Sequence, residues 1–167
     1  MTGPLVFGQQ AIFDAILKQL QEQEIPFRHL MHRETSPSSI AEEIGLDVRE
    51  GVKCLIVRGK KSGSHTLLCV KGHQRIDMRS VTALLKEGCA LEKPEIIRER
   101  FGLEVGGIPP FGVFLGLPVY FDPAIEQCED VICSCGPLGQ SLRLRRADLI
   151  RLVGPTFAQL TETNREP

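Results

Sequence analysis

The sequence predicts one mixed α/β domain, and three observations carry that reading. Apolar residues recur at helical spacing in some stretches and crowd into short β-rich runs in others. Two pairs of those runs are joined by short turns, "KKSGS" and "GPLG", which makes hairpins and excludes a purely parallel doubly wound sheet. The 167 residues are 42% hydrophobic and 25% charged, enough for a single sizeable core and unlike a disordered chain.

The elements follow in order. Ile12, Phe13, Ile16, Leu17 and Leu20 share one face of a helix over residues 8–23, and "IPFRHLMH" is a short strand. Ser36 is an N-cap with Pro37 at the first helical position, and Gly45 ends that helix. "VKCLIVRG" and "HTLLCVKG" form the first hairpin. Asp77 caps a helix over 78–87 with Val81, Leu84 and Leu85 inward, and Pro94 opens the helix "PEIIRERFG". "VFLGLPVYFD" supplies one broken strand or two short ones. "DVICSC" and "SLRLR" form the second hairpin, where Leu142 and Leu144 alternate with Arg143 and Arg145. "ADLIRLVG" is the last helix. No repeat, low-complexity tract or linker interrupts the chain, so residues 1–167 are expected to be one domain.

Several classes are excluded. No apolar run approaches the roughly 20 residues of a membrane span. "MTGPLVFGQQ" has no basic segment followed by a long apolar one, so no signal peptide is expected and the default location is cytoplasmic. Cys133 and Cys135 would share a strand face, but no histidine follows His73 to complete a familiar zinc pattern. Cys54 and Cys69 sit among "CLIV" and "LLCV", where cysteine serves as a small apolar residue. Free, mostly buried thiols without a metal are expected.

Net charge is −1, yet residues 51–76 hold Lys53, Arg58, Lys60, Lys61, Lys71 and Arg75 with no acid, which is +6 against −7 elsewhere. Such a window suits a local phosphate contact, or equally a solvated hairpin whose lysines guard its edge. There is no G-x-S-x-G elbow, H-E-x-x-H or Walker A loop. A cysteine paired with His29, His32, His65 or His73 would make a thiol enzyme, and the sequence does not say which, if any, are neighbours. Two features remain. Lys53 opens an otherwise apolar strand, where it snorkels to an edge or meets an anion in a cleft. "VGGIPPFG" (105–112) combines glycines, which open unusual backbone conformations, with prolines, which fix φ. Read locally, it is a tight turn or a backbone cradle for a ligand.

"VKCLIVRG", "HTLLCVKGHQRIDMRSVTALL", "VGGIPPFG" and "VICSCGPLGQSLRLRRADLIRLVG" occur in the order and spacing of a known family. From about Gln9 to Leu160 the chain resembles the YbaK/EbsC-type aminoacyl-tRNA deacylases, which are similar to the editing insertion domain of bacterial prolyl-tRNA synthetases. The resemblance implies a mixed, curved, barrel-like β-sheet with surrounding helices. It implies trans-editing: hydrolysis of the ester joining a wrong, small amino acid (alanine, cysteine, serine or threonine) to a tRNA 3′ end. The family's lysine falls on Lys53, which would bind a phosphate or hydroxyl of the terminal adenosine. Backbone N–H groups of Gly106 and Gly107 would polarise the ester carbonyl while a ribose hydroxyl and a held water complete the hydrolysis, without a protein nucleophile or cofactor. Ile108, Pro109, Pro110, Phe111 and Gly112, with Thr35, Ser36, Ser134, Cys135 and Gly136, would shape the substrate pocket. Arg58, Lys60, Lys61, Lys71 and Arg75 would hold the acceptor stem. The implied partner is mischarged tRNA, with an aminoacyl-tRNA synthetase as a second candidate; neither membrane nor DNA is expected. Prolyl-type relatives tend to carry a histidine in the final turn, where this chain has Pro137, Leu138 and Gly139. Many free-standing members carry an acid at the position of Ser141, so amino-acid preference stays open. The alternatives are a non-catalytic tRNA- or synthetase-binding module and the thiol enzyme.

Overall fold

Helix α1 (Gln9–Glu22) turns Ile12, Phe13, Ile16 and Leu20 into the largest core cluster, as their spacing requires. The computed structural model describes residues 4–33 and 36–162. Strand β1 (Phe27–Met31) is followed by α2 (Pro37–Glu43). There the Ser36 hydroxyl accepts a hydrogen bond from the Ser39 N–H, and Gly45 takes φ 73° past the helix end. A 3-10 turn (Val48–Glu50) leads into β2 (Val52–Gly59), which pairs antiparallel with β3 (His65–Lys71). Next come α3 (Met78–Leu85), β4 (Cys89–Leu91) and α4 (Pro94–Phe101). The chain then forms α5 (Gly112–Leu115), β5 (Val119–Phe121), a 3-10 turn (Pro123–Gln127) and β6 (Asp130–Ser134). It ends with β7 (Gln140–Arg145), α6 (Arg146–Val153) and β8 (Thr156–Phe157).

The expected mixed α/β architecture takes the form of two sheets. Three antiparallel strands lie in the order β1-β7-β6, and five in the order β4-β2-β3-β5-β8. In the larger sheet β4, β2 and β3 run antiparallel, whereas β3, β5 and β8 run parallel. The sheets meet at a bridge between Gly51 and Ile132. Beside that junction Arg143 donates to both carboxylate oxygens of Glu50 (2.8 and 3.1 Å) and reaches Asp130 at 3.1 Å. A forked guanidinium thus ties β7 to the turn before β2.

Strand β3 is buried along its whole length. Leu67 and Cys69 face the largest cluster, while Leu68 and Val70 face a second one with Val81 of α3. A third cluster packs Ile40 and Ala41 of α2 on Leu30 and Ile132. Because β3 is covered on both faces, its apolar run is continuous and not alternating.

Three local departures from the sequence reading have physical causes. Residues 113–115 were expected as strand and instead belong to a single helical turn (Gly112–Leu115), closed by Gly116 at φ 68°. Gly112 has no room for a side chain: a Cβ there would lie 2.1 Å from Val119 Cγ2. The helix expected to run to residue 87 stops at Leu85, because Lys86 adopts a left-handed conformation (φ 60°). Strands β4 and β8, of three and two residues, are too short to leave a periodic signal. Among the described residues no helix is long and apolar enough to cross a membrane.

Candidate active site

Lys53 and Leu55 stand two residues apart on β2, and both border two cavities. The smaller cavity, about 150 Å³, is closed by Pro37 of α2, Cys54 of β2, Val105, Gly106 and Ile108 of the glycine–proline loop, and Ser134 at the end of β6. Four chain segments therefore converge on one small, mostly apolar space.

The loop is held by its backbone. The Gly107 N–H donates to the Glu104 carbonyl (2.9 Å), closing a tight turn with Gly106 at φ 95°, where glycine alone is comfortable. The Gly107 carbonyl accepts from the Gly136 N–H at 3.0 Å, and the Ser134 hydroxyl donates to the Gly106 carbonyl at 2.6 Å. Arg98 of α4 grips Glu104 with two bonds of 2.7 and 3.0 Å at the loop's start. A Cβ on Gly107 would fall 2.3 Å from the Gly136 carbonyl oxygen. Among the described residues the N–H groups of Gly106 and Ile108 have no hydrogen-bond acceptor. Both residues line the small cavity.

The Lys53 side chain makes no ion pair or hydrogen bond among the described residues. Burial, and secondarily the positive charge of Arg75, pushes its ammonium below the ordinary lysine value. A half-buried, uncompensated cation at the mouth of a cavity is a receptor for negative or strongly polar groups.

The sequence-predicted site residues divide into those that meet and those that do not. Lys53, Gly106, Ile108 and Ser134 line the small cavity together. Pro109, Pro110, Phe111 and Gly112 are buried beneath the loop, and Phe111, expected as a pocket wall, instead stacks on Phe114 in the core. Cys135 also faces the core, since consecutive strand residues point to opposite sides and Ser134 takes the cavity side. Gly136 supports the site by its bond to Gly107 and makes no wall. Ser36 is engaged as a cap, with a second bond of 2.7 Å to Ser39, so its neighbour Pro37 meets the cavity in its place. Thr35 lies outside the described residues. Gly107 was expected to offer its N–H to substrate, but the Glu104 carbonyl already takes it. Pro37, Cys54, Leu55 and Val105 escaped sequence reasoning, and only Val105, inside the quoted loop, carried a signal.

The basic window does not form one face. Lys71 is fully buried, its ammonium donating to the Arg49 carbonyl and, at 3.4 Å, to Cys128, so it holds no tRNA. Arg58 lies 3.5 Å from Glu92, which is itself bonded to buried His65 at 2.6 Å. Lys60 and Lys61 are exposed at the far end of β2, about 23 Å from Lys53 by strand rise. Arg75 alone stays beside Lys53, on the larger cavity.

The thiols give little support to a thiol enzyme. Cys54 and Cys69 face each other across the hairpin with sulfurs 3.3 Å apart, and burial drives the Cys54 thiol far above its usual value. Burial pushes Cys135 up to about 12. His29, His32 and His65 bond to Gln140, Ser141 and Glu92. A protonated, core-facing thiol is a poor nucleophile.

Residues 33–152 match the family model described as the aminoacyl-tRNA editing domain. The chain is 25% identical over 153 residues to the multifunctional Ser/Thr-tRNA deacylase ProXp-y of Escherichia coli K12, covering 89% of this chain and 92% of that one. It is 22% identical over 154 residues to EbsC of Enterococcus faecalis, named as a candidate Cys-tRNA(Pro)/Cys-tRNA(Cys) deacylase, with 87% and 91% covered. Among solved structures, a candidate trans-editing enzyme for prolyl tRNA synthetase superposes with a TM-score of 0.76 at 27% identity, over 90% of this chain and 96% of that one. The family match spans most of the chain, including β2, the loop and the second hairpin: the chain belongs to the aminoacyl-tRNA editing domain family.

Proposed function

We propose that the protein is a trans-editing deacylase that releases a small amino acid (alanine, cysteine, serine or threonine) from mischarged tRNA. The observation that carries the reading is the unpaired Lys53 side chain on the same small cavity as Gly106 and Ile108, whose N–H groups have no acceptor among the described residues. The amino-acid side chain occupies that cavity, whose 150 Å³ and lining of Ile108, Leu55 and Pro37 suit a small group. Ser134 and Cys54 are the polar atoms closest at hand. The ester carbonyl oxygen lies against the Gly106 and Ile108 N–H groups, which replace the Gly107 donor expected from the sequence. Water adds to the carbonyl carbon, and negative charge gathers on the oxygen that these donors face. The intermediate collapses by breaking the bond to the ribose oxygen, which takes up a proton derived from the attacking water. The ester is already activated, so orientation and two fixed donors supply most of the help required.

Lys53 holds a hydroxyl or phosphate of the terminal nucleotide and fixes the ester over the loop. Size is the main filter, because an apolar pocket separates side chains differing by one methylene by only about 1–3 kcal/mol. The names of ProXp-y and EbsC, with serine, threonine and cysteine substrates, are consistent with this range. Multiple-turnover deacylation across tRNAs charged with alanine, cysteine, serine, threonine, proline and leucine is the test. Turnover confined to the small amino acids is expected. Retention of tRNA without turnover of any ester would replace the deacylase with a binding module.

A further inference from the structure

Cys54 and Cys69 stand directly opposite each other on β2 and β3. The Gly59 N–H donates to the Ser64 carbonyl, and alternation along the register makes 54 and 69 a pair without ladder bonds between them. At such a pair the Cα atoms lie about 4.5 Å apart, inside the roughly 4.4–6.8 Å that a disulfide spans. The sulfurs already touch at 3.3 Å, against about 2.05 Å for an S–S bond. Both are free thiols. Cys133 and Cys135 share the same apolar cluster, but neither sulfur is hydrogen-bonded to another thiol among the described residues. The two partners differ in access. Cys69 is sealed, whereas Cys54 keeps 7% exposure and borders the small cavity.

We infer that Cys54 and Cys69 form an oxidation site, closing to a reversible disulfide when a hydroperoxide enters the small cavity. With hydrogen peroxide, the Cys54 sulfur attacks one oxygen. An S–O bond forms, the O–O bond breaks, and the departing hydroxide takes the thiol proton and leaves as water. The Cys69 sulfur then attacks the Cys54 sulfur. The S–S bond forms, the S–O bond breaks, and the second hydroxide leaves as water with the Cys69 proton. Two thiols lose two electrons in all, and one peroxide gains them. Burial keeps the Cys54 thiol protonated, which slows the first step; the second is fast because its partner is already in contact. Closure draws the sulfurs together by roughly 1.2 Å and shifts one wall of the cavity. The effect on turnover rests on the deacylase reading, which gives that cavity to the amino-acid side chain. The bond itself does not.

Excess hydrogen peroxide on the full chain, followed by peptide mapping without reduction, tests the assignment. Linked peptides carrying Cys54 and Cys69 are expected, and dithiothreitol should separate them. Cys69→Ala should yield no linked peptide and leave Cys54 as a sulfenic acid that dimedone captures. Should that variant fold poorly, the wild-type map decides by itself. Linkage of Cys54 to Cys133, or oxidation confined to the half-buried Cys128, would overturn the inference. Deacylation is the second readout: kcat/KM for esters of small amino acids should fall about tenfold in the oxidised protein and recover on reduction. Linkage with unaltered turnover would overturn the coupling to the cavity. A linked pair in a protein that hydrolyses no ester, before oxidation or after reduction, would sustain the disulfide and sink the deacylase reading instead.

Discussion

At the scale of single residues, a charge without a partner separates function from packing. Lys53 and Lys71 give the same sequence signal, a lysine in an apolar strand, and they sit at the same open end of one hairpin, Lys53 opposite Val70 and Lys71 opposite Val52. Only Lys53 faces a cavity; Lys71 is sealed inside by the Arg49 carbonyl. No local pattern distinguishes them, because the difference lies in which loop folds over the strand end. Lys53→Ala should therefore reduce kcat/KM by the worth of a charge-assisted contact, about 1.5–3 kcal/mol, with little change in thermal midpoint. Wild-type turnover with a lowered midpoint would make Lys53 a packing residue. Since its ammonium titrates below the ordinary lysine value, affinity for a non-hydrolysable 3′-amide analogue should decline as pH rises before it reaches the ~10.4 of a free lysine. Lys53→Arg should remove that decline. Gly107→Ala acts differently from its neighbour. Gly106 needs its positive φ, whereas Gly107 needs its missing Cβ, 2.3 Å from the Gly136 carbonyl oxygen. Crowding backbone in this way should cost about 1–3 kcal/mol of stability, read from the denaturant midpoint, together with activity.

At the scale of elements, the second hairpin was legible and its consequences only partly so. Leu142 and Leu144 are buried and Arg145 is exposed, as alternation predicted. The same alternation places Ser134 at the cavity and Cys135 in the core, which the carried-over pattern had merged into one wall. Cys135→Ser should consequently keep near-normal turnover per folded molecule while lowering stability, because it buries a hydroxyl in an apolar cluster. A trapped acyl-thioester would show instead that a cysteine attacks. The short edge strand β4 escaped the sequence reading, yet it brings Glu92 against β2 and β3, where His65 and Arg58 meet it. Burial alone would raise the Glu92 carboxyl, but the His65 hydrogen bond, the Lys93 N–H and the nearby charges prevail and lower it. The unfolded chain thus binds a proton at Glu92 more readily than the folded one. The contribution is complete above the unfolded carboxylate value and disappears as pH falls through the lowered folded value. Thermal midpoints of wild type and Glu92→Gln should differ near neutrality and converge in acid; a constant gap would rule out the linkage.

At the scale of the whole molecule, the sequence conveyed fold class, element order and the loop, since each is written in local spacing. It did not convey how the basic window disperses, because strand length and the burial of Lys71 are tertiary facts. Binding of tRNA should accordingly show a shallow salt dependence, with log K falling against log salt by a slope of about −2 for two or three phosphates. Charge reversal at Lys60 and Lys61 should change affinity far less than Arg75→Ala does, as filter-binding titrations would reveal. The pairing of β1 with β7 has a consequence for biosynthesis. Phe27 is joined to Leu144, so the first strand emerges from the ribosome long before its partner exists. At about 5–20 residues per second, roughly 6–23 s pass while α1 and β1 wait without a sheet to join. Nascent chains that end before Gln140 should stay protease-sensitive throughout the first strand, and protection should arrive in one step once α6 has cleared the exit tunnel.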